Sequence, residues 1–290
     1  MGEIGARRVT TLPALLRLAR VSNLPTVWSN VLAASVLAGG LSLRGMALTL
    51  FAMSAMYTGG MILNDAFDRE IDARERPSRP IPSGAISTAV AWSAGLACLV
   101  TGVITLAAFG AKSAGGGIAL AGAILLYDAW HKENPLSPLI MGTCRALVYI
   151  GAALAAGAVL SGPILCAALA LLLYIAGLTR AAKGGAFRDL ASSWPLTLLL
   201  APLIVALASG SVTTASLAFA AAALAAVGWA ITLLRSQEPG QREAAIGLLI
   251  ATIALMDGVV AAAHGRPDVA FVCLGLFVVT LLAQRFVPGT

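Results

Sequence analysis

The chain has 290 residues, of which 59% are hydrophobic and only 11% charged, with a formal net charge of +6 and a mean hydropathy of +0.90. A water-soluble domain carries about a quarter charged residues, so the composition excludes a soluble enzyme and leaves a polytopic membrane protein with little mass outside the bilayer. The basic excess forms no extramembrane domain of its own, which also excludes nucleic acid as a partner. Cys98, Cys144, Cys166 and Cys273 all lie in apolar runs without metal-ligand spacing and read as small buried side chains.

Residues 1–20 hold Arg7, Arg8, Arg17 and Arg20 but no apolar core running into a small-residue cleavage site, so no cleaved leader is expected. Apolar segments then follow near 24–42, 45–64, 87–109, 115–130, 138–160, 162–180, 194–209, 213–234, 243–263 and 268–286. Each is close to the roughly 20 residues a spanning helix needs. Lipid offers the backbone no partners, so these segments must be helices, and their many alanines and glycines allow close packing. The expectation is a single all-α domain over 1–290, a membrane bundle of nine or ten transmembrane helices. The Gly115-Gly116-Gly117 run reads as a loop and helix start. With the N-terminus cytoplasmic, most basic residues fall on that side, against Arg44, Lys112 and Arg266 on the other. This puts the loops at 65–83, 127–138 and 180–189 on one cytoplasmic face. A bacterial inner membrane is the expected location.

Ahead of the first segment, Arg20-Val21-Ser22-Asn23-Leu24-Pro25-Thr26-Val27-Trp28 places polar groups and an interfacial tryptophan at a helix entrance, while Asn30 lies deeper. An unpartnered amide is costly at that depth, so Asn30 should face the bundle interior.

The second segment runs into Asn64-Asp65-Ala66-Phe67-Asp68-Arg69-Glu70-Ile71-Asp72, followed by Arg76-Pro77-Ser78-Arg79-Pro80-Ile81-Pro82-Ser83-Gly84. On a continuous helix Asp65, Asp68 and Asp72 fall within roughly 60° of one another. Three carboxylates on one face repel unless a cation sits among them, and an all-oxygen cluster suits Mg²⁺ completed by substrate phosphates. A solvated helix end, or pairing with the interleaved arginines, are the competing readings. The prolines make the following segment rigid and basic, so metal and phosphate oxygens can meet between helix end and loop.

The N-D-x-x-D-x-x-x-D run with R-x-x-R-P-I-P-S-G resembles the first aspartate-rich motif of the UbiA superfamily of intramembrane prenyltransferases. The resemblance implies Mg²⁺ held by Asp65, Asp68 and Asp72 with Asn64 positioning them, and a diphosphate clamped by Arg76 and Arg79. Tyr127-Asp128-Ala129-Trp130-His131-Lys132 resembles the family's Y-x-x-x-x-K element. The resemblance places Tyr127 beside the allylic carbon, where its ring face would stabilise a developing cation, and Lys132 on the diphosphate. His131 reads as a general base or as a solvated loop histidine. Arg145, inside the fifth segment, needs an anion or a salt bridge; it is a candidate for the substrate phosphate or an acceptor carboxylate, as Asn30 is for the substrate cavity.

Where the family carries a second aspartate-rich motif, this chain has Leu178 and Ala182, with Asp189 out of register. Arg180 and Lys183 lie a turn apart and can supply positive charge to the diphosphate instead. This pattern is most similar to an EboC-like branch. Asp257 in the ninth segment reads as part of a polar pathway or as a partner for a neighbouring helix, and the face around Gly275–Val279 as lipid-exposed.

The expected function is Mg²⁺-dependent transfer of a prenyl group from an allylic prenyl diphosphate to a small aromatic or lipid-like acceptor, with no protein partner. Alternatives are a non-catalytic binder or transporter of prenyl or lipid phosphates, and a purely structural membrane subunit.

Overall fold

A proline in the first turn opens α2 (Leu24–Leu37), α7 (Ser137–Ala155), α8 (Gly162–Ala182), α9 (Ala201–Ser209) and α12 (Pro267–Gln284), where its missing N–H would lack an intrahelical partner anyway. Hydroxyl caps open others. Ser42 accepts from the Gly45 amide at the start of α3 (Leu43–Phe67), Ser87 from Val90 at α5 (Thr88–Ala107), and Thr213 and Ser216 form a reciprocal capping box at α10 (Thr214–Arg235). The structure, a computed structural model, describes residues 11–183, 193–236 and 238–287.

Those residues form twelve α-helices, completed by α1 (Thr11–Leu18), α4 (Arg69–Glu75), α6 (Ala111–Trp130) and α11 (Gln241–Ala263), with 3-10 turns at Val21–Asn23 and Trp194–Leu200. Each of the ten apolar segments read from the sequence holds a helix, though in 24–42 and 138–160 the helix ends before the segment does. Seven of the helices are long and apolar enough to cross a membrane: α3, α5, α7, α8, α10, α11 and α12. The 24–42 segment is shorter than expected, because α2 ends at Leu37 and Gly39 and Gly40 turn the chain with positive φ. Gly115–Gly117 are not a loop but part of α6, where Gly116 and Gly117 let the helix approach Gly151 and Val103 closely.

α11 is the central helix: every residue from Ala251 to Ala263 is buried, and it packs on α2, α8, α9, α10 and α12. α12 is peripheral, with Phe271, Val272, Val278 and Val279 exposed as its apolar face suggested. The tightest crossing joins α3 to α5. A Cβ on Gly59 would sit 2.8 Å from the Gly95 carbonyl oxygen, and one on Gly95 would sit 2.5 Å from Leu63 Cγ. Of the cysteines only Cys273 is buried; Cys98 and Cys144 are half-buried and Cys166 is exposed. The loop after α4, the α6–α7 turn and the end of α8 meet at one end of the bundle. The Asp189 and Arg188 positions lie outside the described residues.

Candidate active site

α3 stops at Phe67, and Asp68 caps it with φ −79° and ψ 0°, its amide still bonded to the Asn64 carbonyl at 3.0 Å. α4 starts at the next residue. The three aspartates therefore do not share one helix face. The apolar run is exhausted at Phe67, and aspartate favours a helix end over an interior because its side chain competes for backbone partners.

Asp65 and Asp72 are buried and bridged by one nitrogen: Arg79 Nη1 donates to Asp65 Oδ1 at 3.1 Å and to Asp72 Oδ2 at 2.6 Å. Arg20 Nη2 adds a bond to Asp65 Oδ1 at 3.2 Å. Of the readings left open by the sequence, arginine pairing holds for these two acids. This corrects the picture of three convergent carboxylates, because a guanidinium takes the central place. Arg20 itself has left-handed backbone (φ 43°), and its carbonyl accepts from the Tyr57 hydroxyl.

Asp68 turns the other way, to His131 Nε2 at 3.3 Å and Lys132 Nζ at 3.2 Å. Burial alone would raise its pKa, but the hydrogen bonds and charges of His131 and Lys132 outweigh burial and hold it below the usual aspartate value. His131 is not a solvated loop side chain: it is stacked on Tyr127, with ring centroids 4.9 Å apart.

These groups open onto a cavity of about 970 Å³. Its mouth carries Asn64, Asp68, Asp128, Tyr127, His131 and Lys132, with Arg20, Arg76, Arg79, Lys183 and Arg242 adding positive charge. Its chamber is apolar, walled by side chains such as Met53, Leu120, Ile124, Val148, Ile250 and Ile253. Lys183 bridges α8 to the α6–α7 turn, donating to the His131 carbonyl at 3.2 Å and to Ser137 Oγ. Burial, then the charges of Lys132 and Arg180, lowers its pKa. Arg180 is exposed on the last turn of α8 and is not among the cavity-lining residues.

Deeper in the bundle, Asp257 on α11 accepts from Ser29 Oγ at 2.6 Å, Asn30 Nδ2 at 2.8 Å and the Tyr149 hydroxyl. Asn30 Oδ1 accepts from Arg145 Nη1 at 3.0 Å, and Thr26 Oγ1 from Arg145 Nη2 at 3.1 Å. Asn30 faces the interior as expected. Its amide joins this network, and it does not line the cavity. Arg145 does line it, from behind Tyr57.

Among the described residues no three His, Cys, Asp or Glu side chains converge into a ready-made metal cage. Mg²⁺ that arrives with phosphates needs only one or two carboxylates. The oxygens of Asn64, Asp68 and Asp128 at the mouth fit that demand, since Asp128 Oδ2 is buried with no hydrogen-bond partner among the described residues.

A family model described as the UbiA prenyltransferase family matches residues 22–193, more than half of the chain. The chain belongs to this family. A digeranylgeranylglyceryl phosphate synthase of Methanothrix thermoacetophila is 42% identical over 87 residues, covering 24% of this chain and 33% of the relative. The chain thus spans about a third of the length of the curated relatives it first matches. Among solved structures, one of a digeranylgeranylglyceryl phosphate synthase superposes with a TM-score of 0.64 at 19% identity, over 88% of this chain and 98% of that one. A UbiA homolog from Archaeoglobus fulgidus bound to GPP and Mg²⁺ gives 0.52 at 16%, over 94% and 97%. These likenesses show the UbiA fold, an integral membrane bundle.

Of the candidate residues read from the sequence, Asn64, Asp68, Arg76, Arg79, Tyr127, Lys132, Arg145 and Lys183 line one cavity, whereas Asp65, Asp72, Asn30 and Arg180 do not. Sequence reasoning missed Arg20, Tyr57, Asp128 and Arg242. Asp128 lay inside the quoted Tyr127–Lys132 turn, and a carboxylate near the end of an apolar helix was the signal available for it.

Proposed function

We propose that the chain transfers a prenyl group from an allylic prenyl diphosphate to a small, lipid-like acceptor. The observation that carries this reading is the union, in one 970 Å³ cavity, of a basic, carboxylate-bearing mouth with a long apolar chamber. A headgroup with several negative charges fits the mouth and an isoprenoid tail fits the chamber. The names and contents of the related structures support a prenyl diphosphate donor and Mg²⁺.

In this reading Asn64 and Asp68 hold Mg²⁺, which neutralises diphosphate charge when bound. Asp65 and Asp72 keep Arg79 and Arg20 aimed at the mouth. Arg76, Arg79, Lys132 and Lys183 bind phosphate oxygens and stabilise the leaving group. The allylic C–O bond breaks with its electron pair passing to diphosphate oxygen. Tyr127 presents its ring to the positive allylic carbon. Apolar walls exclude water that would capture this carbon. The acceptor attacks it and loses a proton. Nine or ten membrane-crossing helices, a cytoplasmic mouth and a bacterial inner membrane complete the reading, supported by the basic residues gathered at one end. The Tyr127–Lys132 turn together with Leu178 and Ala182 supports an EboC-like branch.

A second reading is a non-catalytic prenyl-phosphate binder. It is favoured by α8, which presents Leu178, Thr179 and Ala182 to the cavity and no carboxylate. Purified protein in nanodiscs with labelled geranylgeranyl diphosphate, Mg²⁺ and a membrane lipid extract separates the two. Diphosphate release that vanishes in Asp68→Ala is the result expected. Saturable binding without release supports the binder instead.

A further inference from the structure

We propose that Asp128 is a ligand for the divalent cation alongside Asp68, so that the cation site spans the end of α3 and α6 instead of lying along all three aspartates of the α3–α4 junction. The inference deepens the reading above and rests on it for the identity of the ligand. Asp128 lies in the last turn of α6, is 4% exposed and lines the cavity mouth. Its Oδ1 accepts from Asn64 Nδ2 at 3.1 Å, which fixes the carboxylate against α3. Its Oδ2 is buried with no hydrogen-bond partner among the described residues. A buried carboxylate oxygen left unpaired is costly whether ionised or protonated, and a cation beside it removes that cost.

The neighbouring acids favour this placement. Asp65 and Asp72 are closed off by Arg79, so of the aspartates at the α3–α4 junction only Asp68 lines the cavity. Glu133 and Glu243 line it too, but both are exposed, unlike Asp128. The α8 wall offers Leu178, Thr179, Ala182 and Lys183. A second carboxylate from α6 therefore gives the mouth the two-acid set that Mg²⁺ with a diphosphate uses. The Asn64–Asp128 bond also aligns the two side chains before any cation arrives.

Mn²⁺ retained by the protein in nanodiscs after equilibrium dialysis against a buffer holding the same Mn²⁺ and inorganic diphosphate tests the assignment without turnover. Asp128→Asn keeps an acceptor for Asn64 and should weaken Mn²⁺ binding by roughly tenfold or more, at least what an outer partner of a metal ligand contributes. Asp128→Cys in a Cys144→Ser background should lose Mn²⁺ and gain Cd²⁺ preference, because thiolate selects the softer ion; a purely structural aspartate gives no such exchange. Wild-type Mn²⁺ affinity in Asp128→Asn, or no shift toward Cd²⁺ in the cysteine variant, overturns the proposal. Should either variant fail to fold, anomalous density from Mn²⁺ soaked into crystals of the unaltered chain decides: an ion on Asp128 supports it and an ion elsewhere sinks it. If the wild type releases diphosphate while Asp128→Asn binds Mn²⁺ normally, only this inference falls. If Mn²⁺ binds through Asp128 but diphosphate is never released, the transferase reading falls and the site stands.

Discussion

Arg79 holds two buried acids through a single nitrogen, so its removal leaves, among the described residues, Asp65 with Arg20 alone and Asp72 with no ion-pair partner. Arg79→Ala should cost roughly 3 kcal/mol, the scale for breaking a buried pair from one side. Because both bonds leave one nitrogen, Arg79→Lys should recover part of the loss, an ammonium having three donors. Thermal unfolding in detergent reads both. Asp68 gives a pH signature. Its folded-state pKa lies below the unfolded value, so its contribution is full above the ordinary aspartate value of about 3.9 and is lost as pH falls through the depressed folded value. The stability gap between wild type and Asp68→Asn should therefore close on strong acidification. The pairing that sets these effects was only half legible. Arg79 stood in the quoted motif, but nothing local tells which aspartate a guanidinium fourteen residues away will reach. Asp257 and Asn30 are 227 residues apart and meet only because α2 and α11 pack together.

Between elements, the α3–α5 crossing depends on glycine where backbones touch. Gly59→Ala places a methyl group 2.8 Å from a carbonyl oxygen and should destabilise the fold by about 1–3 kcal/mol. Gly122→Ala on α6 meets nothing within 4 Å and should be neutral or stabilise by up to about 1 kcal/mol. Paired melting curves check the contrast. The helices were legible because each is a long local run of apolar residues, and a local run survives without knowledge of its neighbours. The break at Asp68 was not, since Phe67-Asp68-Arg69 contains neither proline nor glycine. Nor was the cavity contribution of Arg20 and Arg242, which stand far apart in the chain and converge only in the assembled bundle.

For the molecule as a whole, the division between charged mouth and apolar chamber predicts a length-dependent donor preference. Ile250→Trp narrows the chamber from α11. It should raise KM for a geranylgeranyl donor much more than for a dimethylallyl one, with kcat for the short donor nearly unchanged, as steady-state diphosphate release would show. Equal losses with both donors would mean that the tail lies elsewhere.

The guanidiniums facing the cavity also fasten the chain's own acids, and this turns every arriving anion into a competitor. Arg20 and Arg79 line the mouth while gripping Asp65, so an oxygen that recruits either one does so at the expense of an internal attachment. Headgroup affinity is then a net exchange. Asp65→Asn, assayed without metal, should release Arg20 and leave Arg79 held by Asp72 alone, and so capture inorganic diphosphate more strongly than the native chain while melting at a lower temperature.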